Sequence, residues 1–179
     1  MMYYVLVAIC AIVPLLAIVV EWLTGSGISE RHHSHHDTYL MPRSMTGVLV
    51  ISMAFMGVLG ILLGWLCRVG VFVADDTAMI SFFASFVVVM CVMWLAMRRY
   101  RVSTYDDHMD VVPYFGRVRT IRYADIDQLL WSRPNFMMRG RSISVIVDGD
   151  VKAVLNSTFD LDQILIRINR NDVLENAPH

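Results

Sequence analysis

The sequence predicts a membrane protein: three transmembrane α-helices followed by a small α+β cytoplasmic domain of antiparallel strands closed by a C-terminal helix. Three observations lead there. Apolar residues make up 56% of the 179-residue chain and charged residues only 17%, against roughly 45–50% and about 25% in soluble domains. The excess is uneven: before Arg98 the acidic and basic side chains are Glu21, Glu30, Arg31, Asp37, Arg43, Arg68, Asp75 and Asp76. From Arg98 onward charges become frequent and apolar residues begin to alternate with polar ones. A length of 179 residues accommodates one or two domains.

A spanning helix needs about 20 mostly apolar residues, and three stretches qualify, at about 2–23, 46–67 and 77–97. None carries the polar stripe of a helix lying on a soluble core. The first begins MMYYVLV, without Lys or Arg, and its apolar run exceeds the roughly 7–15 residues of a cleaved leader, so it is expected to be retained. Pro14 removes one helix hydrogen bond and predicts a kink. Trp22, Trp65 and Trp94 fall near helix ends, where indoles suit the lipid–water interface.

Orientation follows from the basic flanks. Arg98, Arg99 and Arg101 follow the third helix and place its end in the cytoplasm, as membrane-surface contacts. The 68–76 connection is then outside, the 24–45 connection inside with Arg31 and Arg43, and the N-terminus outside, in the plasma membrane. In the second helix, Gly57, Gly60 and Gly64 share one face, as small residues do where helices approach closely in lipid. Ser81, Ala84 and Ser85 are their expected mates, either within one chain or across a dimer. No ionisable residue lies mid-span, which argues against a transporter or pump. Cys10, Cys67 and Cys91 sit far apart in apolar stretches, with neither metal spacing nor an evident disulfide partner.

Beyond Arg98 the period becomes that of strands. Segments 98–105, 108–115, 117–123, 127–132, 142–147 and 151–155 read as six strands, with Asp148-Gly149 as a hairpin turn between the last two. Leu161, Ile164, Leu165 and Ile168 then fall at helical spacing. Asp160 and Gln163 are placed to form a capping box, and 173–179 reads as a flexible tail. The segments RYRVSTYDDHMDV, GRVRTIRYADIDQLLW, RSISVIVDGDVKAVL and DLDQILIRI resemble the bacterial pleckstrin-homology-like domain of the YcxB-like group of membrane proteins. Gly116, Thr120, Ile121, Tyr123, Asp125 and Ile126 carry its middle segment. The resemblance covers 98–172, implies a pleckstrin-homology-like fold behind several helices, and brings no catalytic residue with it. Such a barrel has seven strands where six are read here, so the sheet is expected to be open or completed by another part of the chain.

Function stays at the level of a class. No nucleophile has a placed base and no Gly-rich phosphate loop occurs, so no enzyme and no cofactor is expected. Net charge is −1, too even for nucleic-acid binding. The domain is nonetheless polarised: 98–141 holds nine Arg against five Asp, and 142–179 three basic residues against six acidic ones. The first reading is a membrane-bound interaction domain that docks a protein partner or organises a homo-oligomer. The alternative is a sensor of anionic lipid through the Arg-rich face, including Arg133, Arg139 and Arg141 around the PNFMMRG loop with Phe136, Met137 and Met138. Asp106, Asp107 and Asp110 lack the spacing of a calcium loop and read as a turn with strand entry. Four histidines, His32, His33, His35 and His36, crowd the 24–45 connection. A solvated connector explains them. A metal site would need fixed geometry and supporting partners, and a pH-responsive loop is the third reading.

Overall fold

The computed structural model describes residues 1–24, 30–33, 36–132, 142–156 and 161–168. The elements run α1 (Met2–Leu23), β1 (Glu30–His33), β2 (His36–Leu40), α2 (Arg43–Arg68), α3 (Asp76–Arg99), β3 (Arg101–Thr104), β4 (His108–Val112), β5 (Arg119–Arg122), β6 (Gln128–Ser132), β7 (Ser142–Val147), β8 (Asp150–Asn156) and α4 (Leu161–Arg167). They divide into two compact units, Met1–Ile28 with Arg43–Arg98, and Ser29–Pro42 with Arg99–His179.

The helical unit holds three helices, each long and apolar enough to cross a membrane. α2 and α3 start earlier than their apolar runs because polar residues begin them. At α3 the Asp75 carboxylate accepts a hydrogen bond from the Ala78 N–H at 2.7 Å, capping an otherwise orphaned donor. Two clusters fill the interior: Ala17, Val50, Met53, Val87 and Trp94, and Cys10, Ile80 and Ala84. The outward faces are just as apolar, with Leu16, Ile51, Val58 and Val89 more than half exposed. Helix α1 continues through Pro14, which is buried.

The glycine face of α2 packs inside this unit. A Cβ on Gly57 would collide with the Cys10 carbonyl of α1, and one on Gly60 would come within 2.6 Å of Phe83 Cβ on α3. Gly64 lies against Ile80 at ordinary contact distance. The mates are therefore Cys10, Ile80 and Phe83 rather than the expected small-residue set. Ser81 and Ser85 are exposed and donate to carbonyls of their own helix, Ala78 and Phe82. Ala84 alone of the three is buried.

The second unit is discontinuous. Its five-stranded sheet runs in the order β1-β2-β3-β4-β5 and its three-stranded sheet in the order β6-β7-β8, all antiparallel. The six strands read from 98 onward are present, but the first begins at Arg101 and not at Arg98, because Arg98 and Arg99 continue α3. The 24–45 connection, expected as a solvated linker, instead supplies the hairpin β1–β2, and β2 pairs with β3 from Asp37↔Thr104 to Leu40↔Arg101. The Thr38 and Ser103 hydroxyls share a hydrogen bond across that ladder at 3.2 Å. Sequence periodicity missed these strands because ERHH and HDTYL carry no apolar alternation; Tyr39 on β2, opposite Val102, and Met41 just beyond it are buried.

Alternation decides the rest of this unit. Val102 and Thr104 on β3, Met109 and Val111 on β4, Ile143 and Val145 on β7, and Ala153 and Leu155 on β8 are buried. So is the whole α4 stripe of Leu161, Ile164, Leu165 and Ile168. Asp148 and Gly149 both have positive φ, 54° and 75°, as a two-residue hairpin turn between right-twisted strands requires. The Asp160 cap, the Gln163 side chain and the 173–179 tail lie outside the described residues.

Candidate functional site

Two polar constellations stand out, one in each unit. The first joins the ends of the three helices. The Glu21 carboxylate on α1 accepts hydrogen bonds from Thr46 Oγ1 on α2 and from Arg98 Nη1 on α3, the latter at 2.9 Å. The Glu21 carbonyl accepts from Arg43 Nη2 at 3.0 Å. The Arg98 guanidinium lies over the Trp94 ring, 5.1 Å from its centroid. Thr46 and Trp94 are buried, while the Glu21 and Arg98 side chains keep 19% and 25% of their exposure. A carboxylate at the end of an apolar helix is costly unless paired, and here it satisfies one partner on each neighbouring helix. The opposite ends meet differently: Arg68 Nη2 donates to the Tyr4 hydroxyl at 3.1 Å and covers the rings of Tyr3 and Tyr4.

The second constellation is a cleft in the sheet unit, where the edge strand of one sheet meets the edge strand of the other. β5 and β8 run close without a ladder between them. The Arg119 guanidinium bridges the gap by donating to the Lys152 carbonyl. A cavity of about 510 Å³ opens there, lined by Arg119, Thr120, Ile121, Arg122, Asp125, Val147 and Lys152. Ile121 is buried and supplies an apolar floor. Thr120 Oγ1 is spent on Asp110 Oδ1 at 2.6 Å. Asp125 comes from the single 3₁₀ turn Tyr123–Asp125 that follows β5. Among the described residues, the Arg122 guanidinium and the Asp125 carboxylate take part in no hydrogen bond or ion pair. Lys152 Nζ is 3.5 Å from the exposed Asp150 carboxylate, a contact worth little in water.

One neighbour colours this cleft electrostatically. Arg122 stands opposite His108 in the β4–β5 ladder. The His108 ring holds the Asp107 carboxyl below the usual carboxylate range, first by a hydrogen bond and then by charge, with a smaller pull from Arg122. The Tyr105 ring stacks on His108 at 4.5 Å.

The surface arginines read from the sequence divide. Arg98 is committed to Glu21 and Trp94, Arg99 donates to the Gly116 carbonyl, and Arg101 stays exposed at the start of β3. The structure places His32, His33 and His36 on the β1–β2 hairpin, His33 opposite His36 and His32 opposite Asp37. His35 lies outside the described residues, as do Arg133, Phe136, Met137, Met138, Arg139 and Arg141. Among the described residues no three His, Cys, Asp or Glu groups come together as metal ligands. The sequence reading missed both constellations. Glu21, a lone acid closing an apolar helix, carries a signal of its own. The cleft does not, because Arg119 and Lys152 are 33 residues apart.

No protein-family model, no curated protein and no solved structure matches the chain.

Proposed function

We propose that the chain is a membrane-anchored binding module. It crosses a membrane three times with its N-terminus outside and carries a pleckstrin-homology-like domain at the cytoplasmic face. That domain docks a partner protein or a second copy of the chain. The observation that carries this reading is the stitched sheet: β1 and β2 leave from the α1–α2 connection and β3 follows α3. The chain therefore passes between the helical and sheet units three times. A domain on one flexible linker explores a wide volume, whereas three covalent connections tether this one more closely to the helices, which suits docking. The apolar outward faces of the helices support membrane insertion, since soluble proteins seldom leave patches of that extent open. Arg98 and Arg99 at the end of α3 and Arg101 just beyond it, against Asp75 and Asp76 at its start, support the orientation.

Native mass spectrometry of the full-length protein, extracted from its own membrane in non-ionic detergent, tests the reading. A stoichiometric protein partner or a homo-oligomer is the expected result. A bare monomer at physiological abundance rejects docking. Protease protection of a C-terminal tag in intact cells checks the orientation.

A further inference from the structure

We infer that the cleft between β5 and β8 is an anion-binding site that takes a phosphomonoester bearing a neighbouring hydroxyl or amine. The proposal goes beyond docking and holds whichever partner the domain meets. Among the described residues, three cations, Arg119, Arg122 and Lys152, line a cavity of about 510 Å³ together with one carboxylate, Asp125. The volume falls within the roughly 300–1,000 Å³ of small-ligand pockets. Arg119 has one donor engaged with the Lys152 carbonyl, and that bond orients the rest of its planar fork. Arg122 has its whole fork available among the described residues, and a guanidinium grips a phosphate through paired N–H bonds. Lys152 adds a point charge. The described lining residues carry a formal charge of +2, from three cations and one carboxylate, with Asp150 beside Lys152 and Asp110 beside Thr120 just outside the lining, so the cleft favours an anion.

The lining also has a direction. Asp125 can only accept hydrogen bonds when ionised, so it repels phosphate oxygens and receives a donor. A ligand with a hydroxyl or amine beside its phosphate satisfies both ends. Ile121 and Val147 offer apolar contact to the carbon skeleton between them. A bare halide or simple carboxylate uses only part of this lining. The shared chemistry is found in soluble phosphorylated metabolites and in those anionic lipids whose headgroup ends in a phosphomonoester near a free hydroxyl.

The test uses the full-length protein in non-ionic detergent and in nanodiscs. Inorganic phosphate and glycerol 3-phosphate are the soluble probes, and lysophosphatidic acid, which keeps a free hydroxyl beside its phosphomonoester, in a phosphatidylcholine nanodisc is the lipid probe. Binding is read by calorimetry for the soluble probes and by retained lipid in native mass spectrometry for the other. Arg122→Gln with Lys152→Gln is the cleft variant, and Arg117→Gln, exposed outside the cleft, is the control. Saturable binding of glycerol 3-phosphate, tighter than inorganic phosphate and weakened at least about tenfold in the cleft variant only, supports a soluble ligand. Retention of lysophosphatidic acid that the cleft variant loses and the control keeps supports a headgroup. Asp125→Asn should bind inorganic phosphate at least as well but lose the preference for glycerol 3-phosphate. Binding of none of the three probes by folded wild-type protein overturns the site. So does a loss of equal size in the Arg117 control, which would mean diffuse surface charge. Neither negative outcome touches the docking reading, which stands or falls on copurifying mass.

Discussion

At the residue scale the glycines of α2 have unequal tasks. At Gly57 and Gly60 an added methyl meets the Cys10 carbonyl and Phe83 Cβ, atoms close to or within the neighbouring backbone. Neither can yield without shifting a helix, and overpacking of this kind typically costs about 1–3 kcal/mol. At Gly64 the nearest atom stands at 3.4 Å, and at Gly47 nothing lies within 4 Å. Gly57→Ala and Gly60→Ala should therefore lower the melting temperature of the detergent-solubilised protein. Gly64→Ala should leave it nearly unchanged. Gly47→Ala should raise stability by up to about 1 kcal/mol, the helix-propensity gain of alanine over glycine. Equal effects at all four positions would contradict the packing described for α1, α2 and α3. Composition made the small-residue face visible, but not which glycines are in contact, because that depends on where a neighbouring helix's carbonyl and Cβ arrive.

At the scale of elements, the Glu21 cluster holds three helix ends through one carboxylate. Its energetic mark is coupling. A double-mutant cycle with Glu21→Gln and Arg98→Gln, read by melting in detergent, should give about 1 kcal/mol of interaction, within the usual range for contacting pairs and held down by their residual exposure. Additive effects would place the two charges apart. The same scale shows why some elements were legible and others hidden. Strands β3 to β8 and α4 each carry a period of their own, so local pattern located them, down to the Asp148-Gly149 turn. β1 and β2 are written ERHH and HDTYL, sequences with no run of apolar–polar alternation; Tyr39 is a buried anchor on β2. Their strand character comes from the edge that β3 offers them, which is a tertiary fact. The β5–β8 cleft is hidden for the same reason. Its cations look like ordinary surface charge until two edges become neighbours.

At the scale of the whole molecule, the sheet unit depends on a segment encoded between two helices. A fragment comprising 99–179 lacks β1 and β2 and exposes the β3 edge that β2 covers. An uncovered edge is a template for aggregation. That fragment should elute as a broad, associated species by size exclusion and unfold without a cooperative transition. Joining residues 29–42 to its front through a Gly/Ser linker should restore a sharp transition. If the bare fragment already unfolds cooperatively as a monomer, the hairpin is an accessory and not part of the fold. The same arrangement sets a timetable. Thr38 and Ser103, which touch across the β2–β3 ladder, are 65 residues apart, so at about 5–20 residues per second the hairpin leaves the ribosome about 3–13 s before its partner strand. Throughout that interval two further helices must be made and threaded while β2 stays open on one side. The finished sheet is thus a record that synthesis of all three helices is complete, and a chain stalled earlier presents a bare strand to whatever protease or chaperone meets it.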